Sequence, residues 1–330
     1  MRSGGASGHR RAALDDVTLG AIMSPSDRPW STADIGEALR GALAQGLAAS
    51  ELWSLLLSVL ESWAAQRSPA AVRQQWENDR FVQPCRVDQR TLNQLDGHLL
   101  AAAAEFTALE LAPLAPLAAC SAVALTSQNR IVSTARGTEV VSDPTNVLAL
   151  ECARRLRAAP YASVRLTTSH RCVRAQPVPD LPGFSSHFRM FCLATGGHER
   201  KDHAFITEAL IEHIRTHLAA LDRLEQHGYH FPGRRIRLLA TPGREHLAER
   251  IASAIHGTPV THAPLDHNYY DGLRFMVEVS TPTGDLIPLI DGGAFDWLRK
   301  LTANNRMVLV ASGMGSQIAA LLFRRVAQIA

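Results

Sequence analysis

Lysine is almost missing from this 330-residue sequence: Lys201 and Lys300 are the only two among 34 basic residues. Arginine carries the rest, a compositional habit of GC-rich genomes more than a chemical signal. Basic and acidic residues nearly cancel, leaving a formal net charge of +3. The strong basic asymmetry that phosphate backbones require is therefore missing, and DNA is not an expected partner. The five cysteines (Cys85, Cys120, Cys152, Cys172, Cys192) are odd in number and form no Cys-x-x-Cys pair. That excludes a disulfide framework and a thiolate zinc site, and fits a reducing compartment. Long apolar runs are missing too. The longest, Leu109 to Leu125, is broken by Glu110, Pro113 and Pro116, so no membrane span is expected. Arg10 and Arg11 near the start are followed by Asp15 and Asp16 instead of an apolar core, which argues against a signal peptide. The expectation is a cytoplasmic protein. With 46% hydrophobic residues, 22 glycines and 17 prolines, the chain is neither disordered nor of low complexity.

The pattern along the chain divides it into three parts. Residues 1–30 are rich in Gly, Ser and Arg and read as a mobile tail. Residues 31–87 read as a helical extension. Ile35, Leu39, Leu43 and Leu47 recur at helical spacing, a second run places Leu52, Leu55, Leu56, Val59, Leu60 and Trp63 on one face, and Ser68-Pro69 opens a third helix toward Trp76. Four of the five tryptophans, Trp53, Trp63 and Trp76 with Trp30 just ahead, fall in or next to this region, whose apolar faces need a partner, either within the chain or another protein. Residues 88–330 read as a core. A helix with Leu92, Leu95 and Leu99 leads into a strand at 106–113 ended by proline. Strands follow at 163–176 and 187–194, separated by a Pro/Gly loop. Then come a long helix with Ile206, Leu210, Ile214, Leu218 and Leu221, strand 235–240, helix 244–256, a hairpin at 270–290, helix 294–302, strand 306–311 and a closing helix at 315–328. Hairpins bounded by helices predict an α+β fold, an antiparallel sheet flanked by helices.

Seven segments carry a resemblance. They are Phe106–Pro113; Ser142-Asp143-Pro144-Thr145; Cys172-Val173-Arg174-Ala175-Gln176; Phe188-x-x-Phe191; Asn268-Tyr269-Tyr270-Asp271-Gly272; Asp291-Gly292-Gly293-Ala294-Phe295-Asp296; and Ser312-Gly313-Met314-Gly315. In this order they resemble the class II aminoacyl-tRNA synthetase catalytic core. The likeness is nearest to histidyl-tRNA synthetase and to the synthetase-like regulatory subunit of ATP phosphoribosyltransferase. The resemblance implies that Arg174 holds an α-phosphate, with Gln176, Phe188, Gly313 and Gly315 around ATP and Mg2+. It implies that Asp143 and Thr145 receive a substrate amine, and that Tyr269, Tyr270, Gly292 and Gly293 bound the amino-acid pocket. It also implies a homodimer formed through the strand at 106–113.

The departures from the family's pattern are informative. The family's final arginine falls on Ile318, its metal-binding Glu on Gln317 and the motif 2 Glu on Gln176. Its two histidine-reading residues fall near Met190 and Ala194, an arginine before the paired tyrosines near Leu265, and another on Ala294. A cation against a triphosphate cannot become isoleucine and keep its charge interaction. Arg130 and Arg136 are candidate replacements. The chain stops about a dozen residues beyond the last motif, so no anticodon-binding domain is expected and tRNA is not an expected substrate.

Each candidate has a bland reading beside the functional one. Arg174 lies between apolar residues of a strand, where a buried guanidinium is costly without a ligand or ion pair. Asp143 serves equally as a helix cap or as an amine acceptor. Tyr269 and Tyr270 pack or line a pocket, and the four glycines permit close backbone approach. His213 and His217 share a helix face at i, i+4, but without the His-Glu-x-x-His pattern. His170, His187, His198, His262 and His267 flank the pocket strands with no spacing diagnostic of zinc, so no metal ligand is assigned. Two functions follow. One is a stand-alone, ATP-dependent ligase that activates an amino acid or related carboxylate for a non-tRNA acceptor. The other is a non-catalytic regulatory or sensor subunit that binds an amino acid. Retention of Arg174 tilts the reading to the enzyme.

Overall fold

The computed structural model describes residues 32–177 and 184–325. The tail expected at 1–30 and the last residues of the closing helix lie outside the described residues. The chain divides into two compact units, Met1–Leu60 and Glu61–Ala330. The first unit contains helix α1 (Thr32–Gln45) and helix α2 (Ala49–Ala65) as far as Leu60. Leu39, Leu55, Val59 and Leu60 are exposed there.

The second unit begins with the end of α2 and helix α3 (Pro69–Asn78), where Pro69 takes the first helical position and Ser68 Oγ accepts from Ala71 N–H. Helix α4 (Gln89–Ala102) starts at Asp88, whose carboxylate accepts from the N–H groups of Arg90 and Thr91. Those caps satisfy donors that the first turn leaves without intrahelical partners.

The core is one eight-stranded sheet. Its strands are β1 (Thr107–Ala108), β4 (Val164–Val173), β5 (His187–His198), β6 (Arg235–Ala240), β7 (Val260–Pro264), β8 (Leu273–Ser280), β9 (Leu286–Phe295) and β10 (Met307–Met314), in the order β1-β4-β5-β10-β9-β8-β6-β7. The six central strands are antiparallel, and β1 and β7 join the two edges in parallel. A separate ribbon pairs β2 (Leu114–Pro116) with β3 (Thr138–Val140).

Two-residue alternation along the strands separates two apolar layers. Phe191, Leu193, Phe275, Val277, Ile290, Val308 and Val310 face α4, α7 (Ala204–Glu225), α8 (Glu245–Ser253) and α10 (Ser316–Leu322). Leu166, Cys192, Ala194, Leu309 and Ala311 face α6 (Pro144–Ala158) and α9 (Trp297–Thr302). Each fully buried Leu or Phe in these layers contributes roughly 1.5–3 kcal/mol. The short helix α5 (Ala119–Val123) lies between β2 and β3 in the chain. Among the described residues, no helix is long and apolar enough to cross a membrane.

The expected α+β architecture is the observed one, with three local differences. The strand expected over 106–113 splits: Thr107–Ala108 joins the edge of the large sheet, and Leu114–Pro116 joins the ribbon. Pro113 lacks the N–H that a continuous strand would need at that point. Strand β9 runs on to Phe295, and α9 begins only at Trp297. The edge strand β7 was not anticipated, because its alternation is shallow and it ends in Pro264.

The histidine pair on α7 is structural. His213 Nδ1 and His217 Nε2 both lie 2.8 Å from Ser312 Oγ on β10, and His213 Nε2 lies 2.9 Å from Thr195 Oγ1. One serine hydroxyl thus serves two imidazoles, donating to one and accepting from the other. Burial holds both rings neutral: the His217 pKa is pushed down to about 3, and that of His213 lies well below its ordinary value.

Candidate functional site: a cleft between Asp143 and Arg174

Asp143 follows β3 in an extended conformation (φ −151°, ψ 114°) and caps α6. Its Oδ1 accepts from Thr145 N–H at 3.0 Å and from the Thr145 hydroxyl at 2.7 Å. The other oxygen, Oδ2, faces Arg174 Nη2 at 3.4 Å, and Arg174 Nε donates to Ser142 O at 3.0 Å. Capping and arginine pairing therefore occur on the same carboxylate, one per oxygen. The Arg174 guanidinium also lies over the Phe188 ring, 5.0 Å from its centroid, where a cation is attracted by the ring's electron-rich face.

Backbone hydrogen bonds hold these side chains together. Val173 N–H donates to Val141 O at 3.0 Å, Arg174 N–H to Ser186 O at 2.8 Å, and Ala175 N–H to Arg130 O at 2.8 Å. The end of β4 is thereby stitched to the segment before Asp143 and to the turn containing Arg130. Between them opens a cleft of about 500 Å³ lined by Asp143, Arg174, Gln176, Ser142, Arg130 and Tyr269, with Leu125–Ser127 and Cys120 along its walls. Leu125 is exposed and adopts a left-handed conformation at φ 55°, uncommon for a branched side chain.

Tyr269 and Tyr270 stand in an aromatic group with Phe295, and Tyr269 also meets Trp297. Burial pushes the pKa of both hydroxyls up, reinforced by the charge of Asp143 near Tyr269 and of Asp291 near Tyr270. Both are neutral donors at any physiological pH. Tyr269 reaches the cleft, whereas the Tyr270 ring rests on Gly293, where a Cβ would lie 2.5 Å from Tyr270 Cδ1. Burial likewise raises the thiol pKa of Cys120, Cys172 and Cys192, so none is a ready nucleophile.

The structure brings Asp143, Arg174, Gln176 and Tyr269 to one cleft, with Thr145 and Phe188 directly behind two of them. It does not bring the glycines there. Gly292 lies against β10, a Cβ meeting Ser312 Cβ at 2.3 Å, and Gly313 lies under Met190, a Cβ meeting Met190 Cε at 2.7 Å. Gly315 starts α10 with its N–H on Leu289 O. Of the two candidate replacement arginines, Arg130 lines the cleft and Arg136 does not.

Two features were missed. Arg274 on β8 and Asp291 on β9 form a bidentate pair, Nε–Oδ1 at 2.9 Å and Nη2–Oδ2 at 2.7 Å, with the guanidinium 5.1 Å from the Tyr270 ring centroid. The register Met276↔Asp291 and Arg274↔Gly293 puts them diagonally on one sheet face. A signal existed in hindsight: a lone Arg and a lone Asp at matching depth on consecutive hairpin strands. Second, Gln317 Oε1 accepts from Arg171 Nη1 at 3.1 Å, and its amide donates to Ser185 Oγ at 3.2 Å. A guanidinium at the position implied for a metal ligand repels a divalent ion. Among the described residues there is also no group of three His, Cys, Asp or Glu able to hold a metal.

No protein-family model matches the sequence, and no curated protein matches it either. Solved structures do match at the level of fold. An ATP phosphoribosyltransferase regulatory subunit/histidyl-tRNA synthetase from Bacillus halodurans aligns at TM-score 0.53 and 14% identity, over 73% of this chain and 82% of that one. A histidine–tRNA ligase subunit from Alicyclobacillus acidocaldarius aligns at TM-score 0.53 and 12% identity, over 77% and 96%. The apo histidyl-tRNA synthetase of S. aureus aligns at TM-score 0.51 and 12% identity, over 70% of this chain and 64% of that chain.

Proposed function

We propose that this chain, whose fold is the class II synthetase-like core, binds an amino acid in the Asp143–Arg174 cleft and acts as a regulatory or sensor module without adenylate chemistry. The observation that carries the reading is the pairing of Arg174 with Asp143 and the Ser142 carbonyl. Such a pair suits a ligand that carries both signs. An ammonium takes Asp143 Oδ2, and a carboxylate takes the guanidinium so released.

Three further features support a cleft without phosphoryl transfer. Ile318 packs against the apolar layer where an arginine would face a triphosphate. Met190 fills the space over Gly313. Arg171 occupies Gln317. Transfer of a phosphoryl or acyl-phosphate centre depends on positioned cations, and Ile318 removes one of them. The exposed Leu114 and Leu117 on the ribbon beside β1 support a homodimer through that edge. The exposed Trp63, Val72 and Trp76 support a protein partner at α3 and the end of α2.

One observation favours the alternative, a ligase that activates an amino acid with ATP: Arg130 lines the same cleft and supplies a second cation. Isothermal titration of the twenty amino acids, with and without Mg-ATP, followed by pyrophosphate release, separates the two. The expected result is amino-acid binding that ATP does not alter and no pyrophosphate. Amino-acid-dependent pyrophosphate release lost in Arg174→Ala would establish the ligase instead.

A further inference from the structure

The cleft holds more unsatisfied polarity than recognition of one ammonium and one carboxylate uses. Ser142 is only 3% exposed, yet its hydroxyl meets nothing beyond the Cys120 thiol. Arg130 and Ser127 are exposed at the cleft mouth and Gln176 is half-buried, and none of the three has a side-chain partner among the described residues. A buried hydroxyl and a guanidinium left open toward one cavity are what a ligand site shows before the ligand arrives.

The sign of that polarity can be worked out from the groups around it. Asp143 and Arg174 cancel. Arg274 and Asp291, beyond Tyr270, cancel through two hydrogen bonds. Glu139 lies behind Cys120 and keeps its charge, but its oxygens are taken by the N–H groups of Ala118 and Cys120 and by the Gln128 amide, so it offers no acceptor to the cleft. What remains is Arg130, held in place by the Ala175 N–H to Arg130 O bond and flanked by Ser127 on the same turn. A cation whose donors are free, beside an exposed hydroxyl, selects an anion that can reach them.

We infer that the ligand is an acidic amino acid, of the aspartate or glutamate class, whose second carboxylate is received by Arg130 and Ser127. This rests on the reading of the cleft as an amino-acid site and adds its specificity. The ammonium goes to Asp143, the α-carboxylate to Arg174 and the side-chain carboxylate to the 127–130 turn. The amides asparagine and glutamine match these ligands in shape but lack the second charge, so they isolate the contribution of Arg130. A charge-assisted contact is roughly twice as strong as a neutral one.

The experiment is titration calorimetry of the full chain with aspartate, glutamate, asparagine, glutamine and histidine at low and moderate salt, repeated with Arg130→Gln. The expected result is that one acid binds about tenfold or more tightly than its amide, a gap of ~1.4 kcal/mol. The preference should shrink with salt and vanish in Arg130→Gln while thermal stability stays the same. Equal binding of acid and amide, or a preference that survives Arg130→Gln, overturns the inference and leaves the amino-acid site standing. Binding of none of the five, nor of any other amino acid, overturns the site itself.

Discussion

Acidification should loosen the layer between α7 and the sheet, and the two buried histidines set by how much. The His217 pKa is held at about 3 in the fold against an ordinary 6.5, and that of His213 is also well below its ordinary value, because burial disfavours the charged ring. A depressed folded-state pKa means that the unfolded chain binds the proton first. The contribution to stability is therefore complete above the unfolded value and is lost as pH falls through 6.5 toward 3. At pH 7.5 the unfolded ring is almost wholly neutral and the penalty is negligible; at pH 5.5 it is on the order of 1 kcal/mol for His217. His213 shifts in the same direction and adds to the loss over that interval. Urea titration followed by fluorescence of buried Trp297 measures it. The informative variant is His217→Leu, because Ser312 keeps His213 as a partner and the unpartnered His217 Nδ1 disappears. It should unfold within about 1 kcal/mol of the parent at pH 7.5. Its loss between pH 7.5 and 5.5 should be smaller than the parent's by on the order of 1 kcal/mol. An identical pH dependence in parent and variant would refute the assignment of this acid sensitivity to the buried ring.

Two other substitutions separate structure from binding at the cleft. Asp143→Asn keeps a side chain that caps helices as well as Asp, so the melting temperature should barely move, while amino-acid affinity should fall at least about tenfold as the ammonium loses its charge partner. Asp143→Ala should lose the cap as well, at ~1 kcal/mol, read as a lower melting temperature. Gly292→Ala places a Cβ 2.3 Å from Ser312 Cβ and 2.8 Å from the Ala311 carbonyl, atoms of a paired strand that cannot step aside. It should cost ~3 kcal/mol, whereas Gly313→Ala meets the flexible Met190 terminus and should cost ~1 kcal/mol. Thermal melts that rank them the other way round would contradict the packing described here.

The fold was legible because its signals are local and redundant. Leu92, Leu95 and Leu99 on α4 and the five apolar residues spaced along α7 each mark a buried helix face, and all but Leu218 are fully buried. Strands β4 and β5 stand where the alternation put them, since apolar layers on both faces of the sheet demand it. The strand at 106–113 misled because a run of alternating residues says nothing about which partner each half takes. Arg174 and Asp143 were legible as a pair of special positions, and their meeting is a tertiary fact that 31 residues of separation conceal. Gly292, Gly293 and Gly313 were ambiguous for a physical reason: a missing Cβ accommodates a ligand or a neighbouring chain equally well, and here the neighbours are Ser312, Tyr270 and Met190. The Arg274–Asp291 pair left only a faint signal, one Arg and one Asp at matching depth on consecutive strands, because a cross-strand ion pair adds no periodicity to either strand.

The two arginine–aspartate pairs near the aromatic group differ in a way that bears on which of them meets a ligand. Arg274 and Asp291 close with two contacts of 2.9 and 2.7 Å, the distances of a strong bidentate bond. Arg174 reaches Asp143 through one contact of 3.4 Å, while its Nε is spent on a backbone carbonyl and the other carboxylate oxygen on the helix cap. A single long contact is worth much less than a fork, so the guanidinium holds the carboxylate without satisfying it. An incoming ammonium that approaches Oδ2 to hydrogen-bonding distance gains more than the arginine gives up. The capped Oδ1 keeps the carboxylate oriented throughout the exchange, because Thr145 binds it through both N–H and hydroxyl. The tight pair therefore acts as structure. The loose one is an exchangeable contact whose anion is fixed in place and whose cation is free to turn toward a ligand's carboxylate.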